Sequence, residues 1–178
     1  MPEPAAKPAD LLLIAASSGE NLRLAERSAE RARAIGLVAE VLDLTTLPLP
    51  LYNPRLHAAE GIPAEVPALS RRLAAVPRWL ICAPEYNGSI PPVLTSAIAW
   101  LSVQGDDFRA LFNGRPIAIA SHSGGGGVEG LTALRIQLAH LGAHVVGRQI
   151  VANRTNPAKD ASIDDLIARL SQLQPIEI

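Results

Sequence analysis

Three short runs in this chain are apolar at consecutive positions rather than at every second one. They are Leu11–Ala16, Trp79–Ala83 and, after its first residue, Arg115–Ala120. Runs of that length without alternation fit strands buried on both faces, which is the condition of a parallel sheet. Parallel neighbours need a crossover between them, usually a helix. The intervening segments supply it. Leu22, Ala25, Ala29, Ala32 and Ile35 make one apolar stripe, predicting a helix to about Ile35 that Gly36 ends before a strand over Val38–Leu44. Pro67–Ala75 predicts a short helix. Val93, Ala97 and Trp100, with Leu94, Ile98 and Leu101 beside them, predict another. Leu131, Leu134, Leu138 and Leu141 predict a fourth, closed by Gly142 before a fifth strand over His144–Ile150. Ser162 opens the last helix, with Asp165 as its capping-box partner and Ile163, Leu166, Ile167, Leu170 and Leu173 as its buried stripe. Five strands alternating with five helices predict a doubly wound parallel sheet of order 2-1-3-4-5, with helices on both faces and right-handed crossovers.

Length and charge narrow the class. A chain of 178 residues fits one domain, here residues 10–178 behind a loose, proline-bearing tail over residues 1–9. A formal net charge of −1 and only 3% aromatic residues give no footing for nucleic acid, since there is neither a basic stripe nor a stacking platform. No apolar run approaches the ~20 residues needed to span a bilayer, so no membrane partner is expected. The single cysteine, Cys82, lies inside an apolar run and reads as a small core side chain; its solitude suits a reducing cytoplasm. No Cys/His cluster suggests a metal, and there is neither a Gly-x-Ser-x-Gly elbow nor a Walker lysine.

The polar loops hold the chemistry. In an open α/β sheet ligands sit beyond the carboxyl ends of the strands. Three glycine-bearing loops follow strands one, three and four there. The first, Ser17-Ser18-Gly19-Glu20-Asn21, is either a phosphate cradle at a helix N-terminus or a plain capping turn. In the second, Pro84 stops the strand, Asn87-Gly88 marks a tight turn with free amides from Tyr86 to Ser89, and Pro91-Pro92 opens a helix. The third, Ser121-His122-Ser123 followed by Gly124–Gly127, is costly in conformational entropy and implies a close approach of something to the backbone. Its His122 is either a proton donor to a bound acceptor or an ordinary hydrogen-bonded loop residue. Thr45–Pro67 is rich in proline and carries Tyr52, Asn53, Arg55 and His57; it reads as a long loop, either a flap over a ligand or a surface wrap.

Pro84-Glu85-Tyr86-Asn87-Gly88-Ser89-Ile90-Pro91, followed by Leu94, Ala97, Ile98 and Trp100, resembles the NAD(P)H-dependent FMN reductases, a flavodoxin-like family that includes quinone, azo-dye and chromate reductases. The chain departs from the family pattern at Thr95, Ser96 and Ala99. The resemblance implies FMN as cofactor, NADPH or NADH as reductant, a small-molecule electron acceptor, and a homodimer or homotetramer. It places Pro84, Glu85, Tyr86, Asn87 and Gly88 along the flavin ring. On that reading Ser121, Ser123, Gly124 and Gly127 add contacts from the third loop, and Ser17, Ser18, Gly19 and Asn21 hold the phosphate. The first loop is shorter than the family's and lacks its arginine, so Glu20 is expected to face the phosphate and loosen the cofactor. Other readings of the same fold are a non-enzymatic electron carrier of flavodoxin type and a flavin-binding scaffold without turnover.

Overall fold

A computed structural model describes residues 7–176; most of the expected loose tail, residues 1–6, lies outside the described residues. The strands are β1 (Leu11–Ala15), β2 (Ala39–Asp43), β3 (Trp79–Cys82), β4 (Pro116–His122), β5 (His144–Val145) and β6 (Ile150–Ala152). The helices are α1 (Glu20–Ala34), α2 (Pro54–Glu60), α3 (Glu65–Ala74), α4 (Pro92–Ser102), α5 (Val128–His140) and α6 (Asp160–Ser171), with a 3-10 turn at Leu44–Thr46. All pairings are parallel, and the order is β2-β1-β3-β4-β5, with β6 also on β4. The expected doubly wound order is therefore present.

The apolar runs do what absence of alternation requires. Along β1, β3 and β4 successive residues feed opposite faces. Leu12, Ile14, Trp79, Ile81, Ile117 and Ile119 pack under α3, α4 and α5. Leu11, Leu13, Leu80, Cys82, Ala118 and Ala120 pack under α1 and α6. Burial pushes the Cys82 thiol up to about 12, leaving it protonated and inert. Trp79 anchors one face: its indole N–H donates to the Val76 carbonyl at 3.2 Å, and the Arg115 guanidinium stacks 4.5 Å above its ring. That burial lowers Arg115 to about 10, where it is still a cation at neutral pH.

Four expectations need correction. In α1 the buried stripe runs through Asn21, Leu24, Ala25, Ser28, Ala29 and Ala32, whereas Ile35 is 60% exposed past the helix end. α6 begins at Asp160, not Ser162, and no capping box forms; Asp160 occupies the first turn, where the helix dipole favours a carboxylate, and Asp165 turns to Arg148 and Arg169. Leu173 lies beyond that helix and is 39% exposed. The fifth strand is broken: Pro116 pairs with His144 and Ala120 with Ile150, so the edge carries two residues more than β4 across the same span. Arg135 fills this bulge, donating to the Val146 carbonyl at 2.9 Å and the Gln149 side chain at 3.0 Å. Lastly, Thr45–Pro67 is not bare loop. Asn53 caps α2 through the Arg55 amide, with Pro54 in its first turn.

This segment wraps α4. The Trp100 indole donates to the Pro50 carbonyl at 2.8 Å, the Tyr52 amide donates to Ser96 Oγ at 2.8 Å, and Tyr52 meets Trp100 edge-on with ring centroids 4.9 Å apart. Trp100 is fully buried as a result. Ser96, one of the departures from the family pattern, is thus the residue that docks the wrap.

Charge ties α1 to α6. Arg27 pairs with Asp160 and Arg31 with Asp164. The Arg31 guanidinium holds Asp164, and Arg169 holds Asp165, below the usual carboxylate value of 3.8; the Val38 amide does the same for Asp10. Carboxylates with depressed pKa add stability above the unfolded value, and that stability is lost as pH falls through the lower folded values. Melting temperature should therefore drop as pH falls from about 5 to about 2, and drop less for Asp164→Asn. Equal acid slopes for the two proteins would show that the α1–α6 pair contributes nothing.

Candidate functional site

The carboxyl edge of the sheet gathers the three loops, and three side chains lace them together. The first is Asn21, at the start of α1 and 2% exposed. Its carboxamide reaches over β3 to the end of β4, where Nδ2 donates to the His122 carbonyl at 2.9 Å and Oδ1 accepts from the His122 amide at 2.8 Å. Both polar ends of the side chain are thus spent on backbone. Asn21 thus ties loops one and three and does not cap α1.

The second tie is Ser123, which joins loops two and three. Its hydroxyl accepts from the Glu85 amide at 2.9 Å and lies 3.3 Å from the Glu85 carbonyl. The third is Glu85, whose carboxylate accepts the Gly130 amide at 2.9 Å in the first turn of α5. A carboxylate at that helix end satisfies an orphan N–H and lies with the dipole. Gly130 is required for the approach: a Cβ there would stand 3.1 Å from Glu85 Cβ and 3.2 Å from the Ser89 carbonyl.

Between these ties the second loop closes on itself. Tyr86 and Ser89 exchange amide-to-carbonyl hydrogen bonds of 3.0 Å each. Asn87 and Gly88 between them sit at φ 53° and 70°, as a two-residue type I′ turn demands. The amides of Tyr86 and Ser89 are therefore not free, contrary to the sequence expectation, and the Glu85 amide is taken by Ser123. Among the described residues the Asn87 and Gly88 amides donate to no protein group, and Tyr86 is half exposed.

The third loop has the same character. The Gly126 amide donates to Ser123, while Gly124 and Gly125 are exposed with nothing near their α-carbons, and their amides are unclaimed among the described residues. Gly127, at φ 80°, is the N-cap of α5, and a Cβ there would collide with Ser121 Oγ. Ser121 itself is 1% exposed, and its hydroxyl has no hydrogen-bond partner. An orphan hydroxyl, open glycine amides and a helix N-terminus together fit an acceptor-rich edge of a planar ligand such as a flavin ring.

In the first loop Ser17 is half-buried, and Ser18 and Gly19 are exposed at the open first turn of α1; neither serine caps the helix. The first turn also carries an arginine. Arg23 pairs with Glu20, so a guanidinium stands beside the loop together with the carboxylate expected to repel a phosphate. Reading only the loop positions missed it; the signal was the i, i+3 spacing of Glu20 and Arg23. His122 parts from its neighbours. Strand alternation sends it to the α1–α6 side, where it lines a cavity of about 120 Å³ with Glu20, Arg23 and Arg27, away from the Ser121 side of the strand. Among the described residues no three His, Cys, Asp or Glu side chains gather as a metal site, and no helix is long and apolar enough to cross a membrane.

Comparison with known proteins agrees with this fold. Residues 9–157 match the family model described as NADPH-dependent FMN reductase. The chain is 32% identical over 145 residues to a quinone reductase of Escherichia coli strain K12, covering 75% of this chain and 76% of that protein. It is 32% identical over 158 residues to an NAD(P)H-dependent FMN reductase of Pseudomonas aeruginosa, covering 83% and 82%. The flavoenzyme NAD(P)H:(acceptor) oxidoreductase FerB of Paracoccus denitrificans superposes with a TM-score of 0.72 at 21% identity, over 93% of this chain and 99% of that one. A Streptococcus pneumoniae flavodoxin superposes at 0.56 and 13%, over 92% and 94%, a likeness of fold.

Asn21→Ala should leave the His122 amide and carbonyl unpaired. With a cost of about 1–3 kcal/mol for each buried polar group left unmade and partial solvent access at this edge, urea denaturation should show a loss of about 2 kcal/mol. A loss below about 0.5 kcal/mol would mean that Asn21 does not hold the loops together.

Proposed function

The chain belongs to the NADPH-dependent FMN reductase family, and on that premise we propose an oxidoreductase that draws two electrons from NAD(P)H and delivers them to a quinone-like, azo, metal-oxyanion or free-flavin acceptor. FMN is its cofactor, and NADPH or NADH its reductant. Bound flavin supplies the redox chemistry, accepting hydride at N5 and releasing an electron pair; the protein supplies position.

The observation that carries this reading is the lacing of three loops around unclaimed donors. In our proposal Ser17, Ser18 and Gly19 take the FMN phosphate on the open turn of α1, with Arg23 alongside. Pro84 to Gly88 lie along the ring, where the Asn87 and Gly88 amides are held rigid by the type I′ turn. Ser121, Ser123, Gly124 and Gly127 meet the ring's other edge, the Ser121 hydroxyl finding there the partner it lacks within the protein. Donors fixed before the ligand arrives favour charge that builds up on reduction, because no reorganisation is needed. Tyr86 stands half exposed beside them. His122 is left out of the reaction.

We propose a cytoplasmic protein with residues 10–178 as one domain. Its lone cysteine is buried, which suits a reducing compartment. We propose a homodimer or homotetramer, as the family resemblance implies. In it α4 and the Thr45–Pro67 wrap lie near the interface, with the Trp100 side chain itself covered by the wrap.

One exposed face shared by donor and acceptor requires the first product to leave before the second substrate enters. Purified protein should bind FMN by calorimetry, NADPH should bleach the bound flavin anaerobically, and double-reciprocal plots against a quinone should be parallel. Intersecting lines would contradict the shared face. Bound flavin that NADPH and NADH both fail to bleach would favour an electron carrier.

A further inference from the structure

Apart from the three loops, the edge of the sheet holds a second hollow. It measures about 330 Å³ and lies between the broken fifth strand and the start of α6. Its size is that of a small-molecule site. Ile150, Val151, Pro157 and Ala158 give it an apolar wall; Arg148, Lys159, Asn156 and Ser162 give it polar groups, and no carboxylate lines it. The bulge creates this arrangement, since the two extra residues of the edge strand let Arg148 stand out beside β6.

The two cations are underused. The Lys159 ammonium makes no ion pair or hydrogen bond among the described residues. Arg148 has its Nε 2.8 Å from Asp165, but Arg169 shares that carboxylate at 3.0 Å, so one negative charge serves two guanidiniums. The hollow therefore presents two incompletely paired cations beside an apolar wall. It also adjoins the site already described. Val151 lines it and stands 3.7 Å from where a Cβ of Gly126 would be, which places the hollow one strand outward from the glycine loop.

We propose that this hollow receives the adenosine 2′-phosphate of NADPH, with Arg148 and Lys159 as the residues that distinguish it from NADH. The inference rests on the reductase reading above. A 2′-phosphate carries about −1.5 to −2 charges, by analogy with other phosphomonoesters, and needs more than one cation. A guanidinium can bind it bidentately, and the ammonium adds a point charge. Sites that prefer NADH hold the free ribose hydroxyl with a carboxylate, which this lining lacks. The apolar wall suits the adenine.

Calorimetry on the FMN-loaded protein tests this, using 2′,5′-ADP, 5′-AMP and 5′-ADP as probes. The first should bind at least tenfold more tightly than the other two, and its advantage should shrink with salt. Lys159→Ala and Arg148→Gln should each cut 2′,5′-ADP affinity about tenfold. In turnover they should raise the ratio of KM for NADPH to KM for NADH by a similar factor. Lys159 is exposed and unpartnered, so its variant keeps the test open should Arg148→Gln fold poorly. Equal binding of 2′,5′-ADP and 5′-AMP would overturn the inference, as would affinity unchanged in both variants. Equal binding of 5′-ADP and 2′,5′-ADP would overturn it too, assigning the hollow to a pyrophosphate. Failure of the reductase reading shows separately, as protein that takes up no FMN, and the same titrations on flavin-free protein still decide the hollow.

Discussion

Asn21 is the side chain on which the rest of the site depends. It sits at the first turn of α1, yet both ends of its carboxamide are fixed to the backbone of His122, at the far side of β3. Loops one and three therefore cannot move independently. Ser123 and Glu85 extend the same logic, joining loop three to loop two and loop two to the first turn of α5. Each bond is worth only about 1 kcal/mol net, but each also removes one way for a loop to stray. Loops usually have the freedom that a fixed array of donors cannot tolerate. Here side-chain bonds across the sheet edge take that freedom away.

The sheet beneath makes this possible by being apolar on both faces. Leu12, Ile14, Ile81 and Ile119 lie under one layer of helices and Leu13, Leu80, Cys82 and Ala120 under the other, so the middle of the sheet is apolar on both faces. Polar groups collect where the strands end. The proline-rich wrap serves the same end from outside, as Pro50 and Tyr52 bind Trp100 and Ser96 and fix α4 behind the second loop.

Much of this was legible in the sequence because it depends on period. Fully apolar runs gave the parallel strands, the stripes of α5 and α6 gave their buried faces, and Asn87-Gly88 gave the turn whose φ values are 53° and 70°. What stayed hidden depends on contacts distant in the chain. Nothing local says that Asn21 binds a residue 101 positions away, or that Ser96 docks the wrap. Nor does anything local say that the Glu85 carboxylate accepts the amide of Gly130, 45 positions away. The split of the fifth strand was signalled only by Gly147, a residue that often marks a bulge. Asp165 looked like a capping partner because the spacing fits, but three-dimensional neighbours, Arg148 and Arg169, outcompeted the local bond. Arg23 was passed over because it lies in the helix and not in the loop.

With these ties in place, the three loops should be fixed before the cofactor binds. Amide hydrogen exchange on FMN-free protein measures this directly, since the His122 and Gly130 amides donate to Asn21 and Glu85. Both should be protected without FMN, close to the level of the β4 core amides, and FMN should change them little. His122 and Gly130 amides that exchange as freely as an open loop, and slow only when FMN is added, would contradict it.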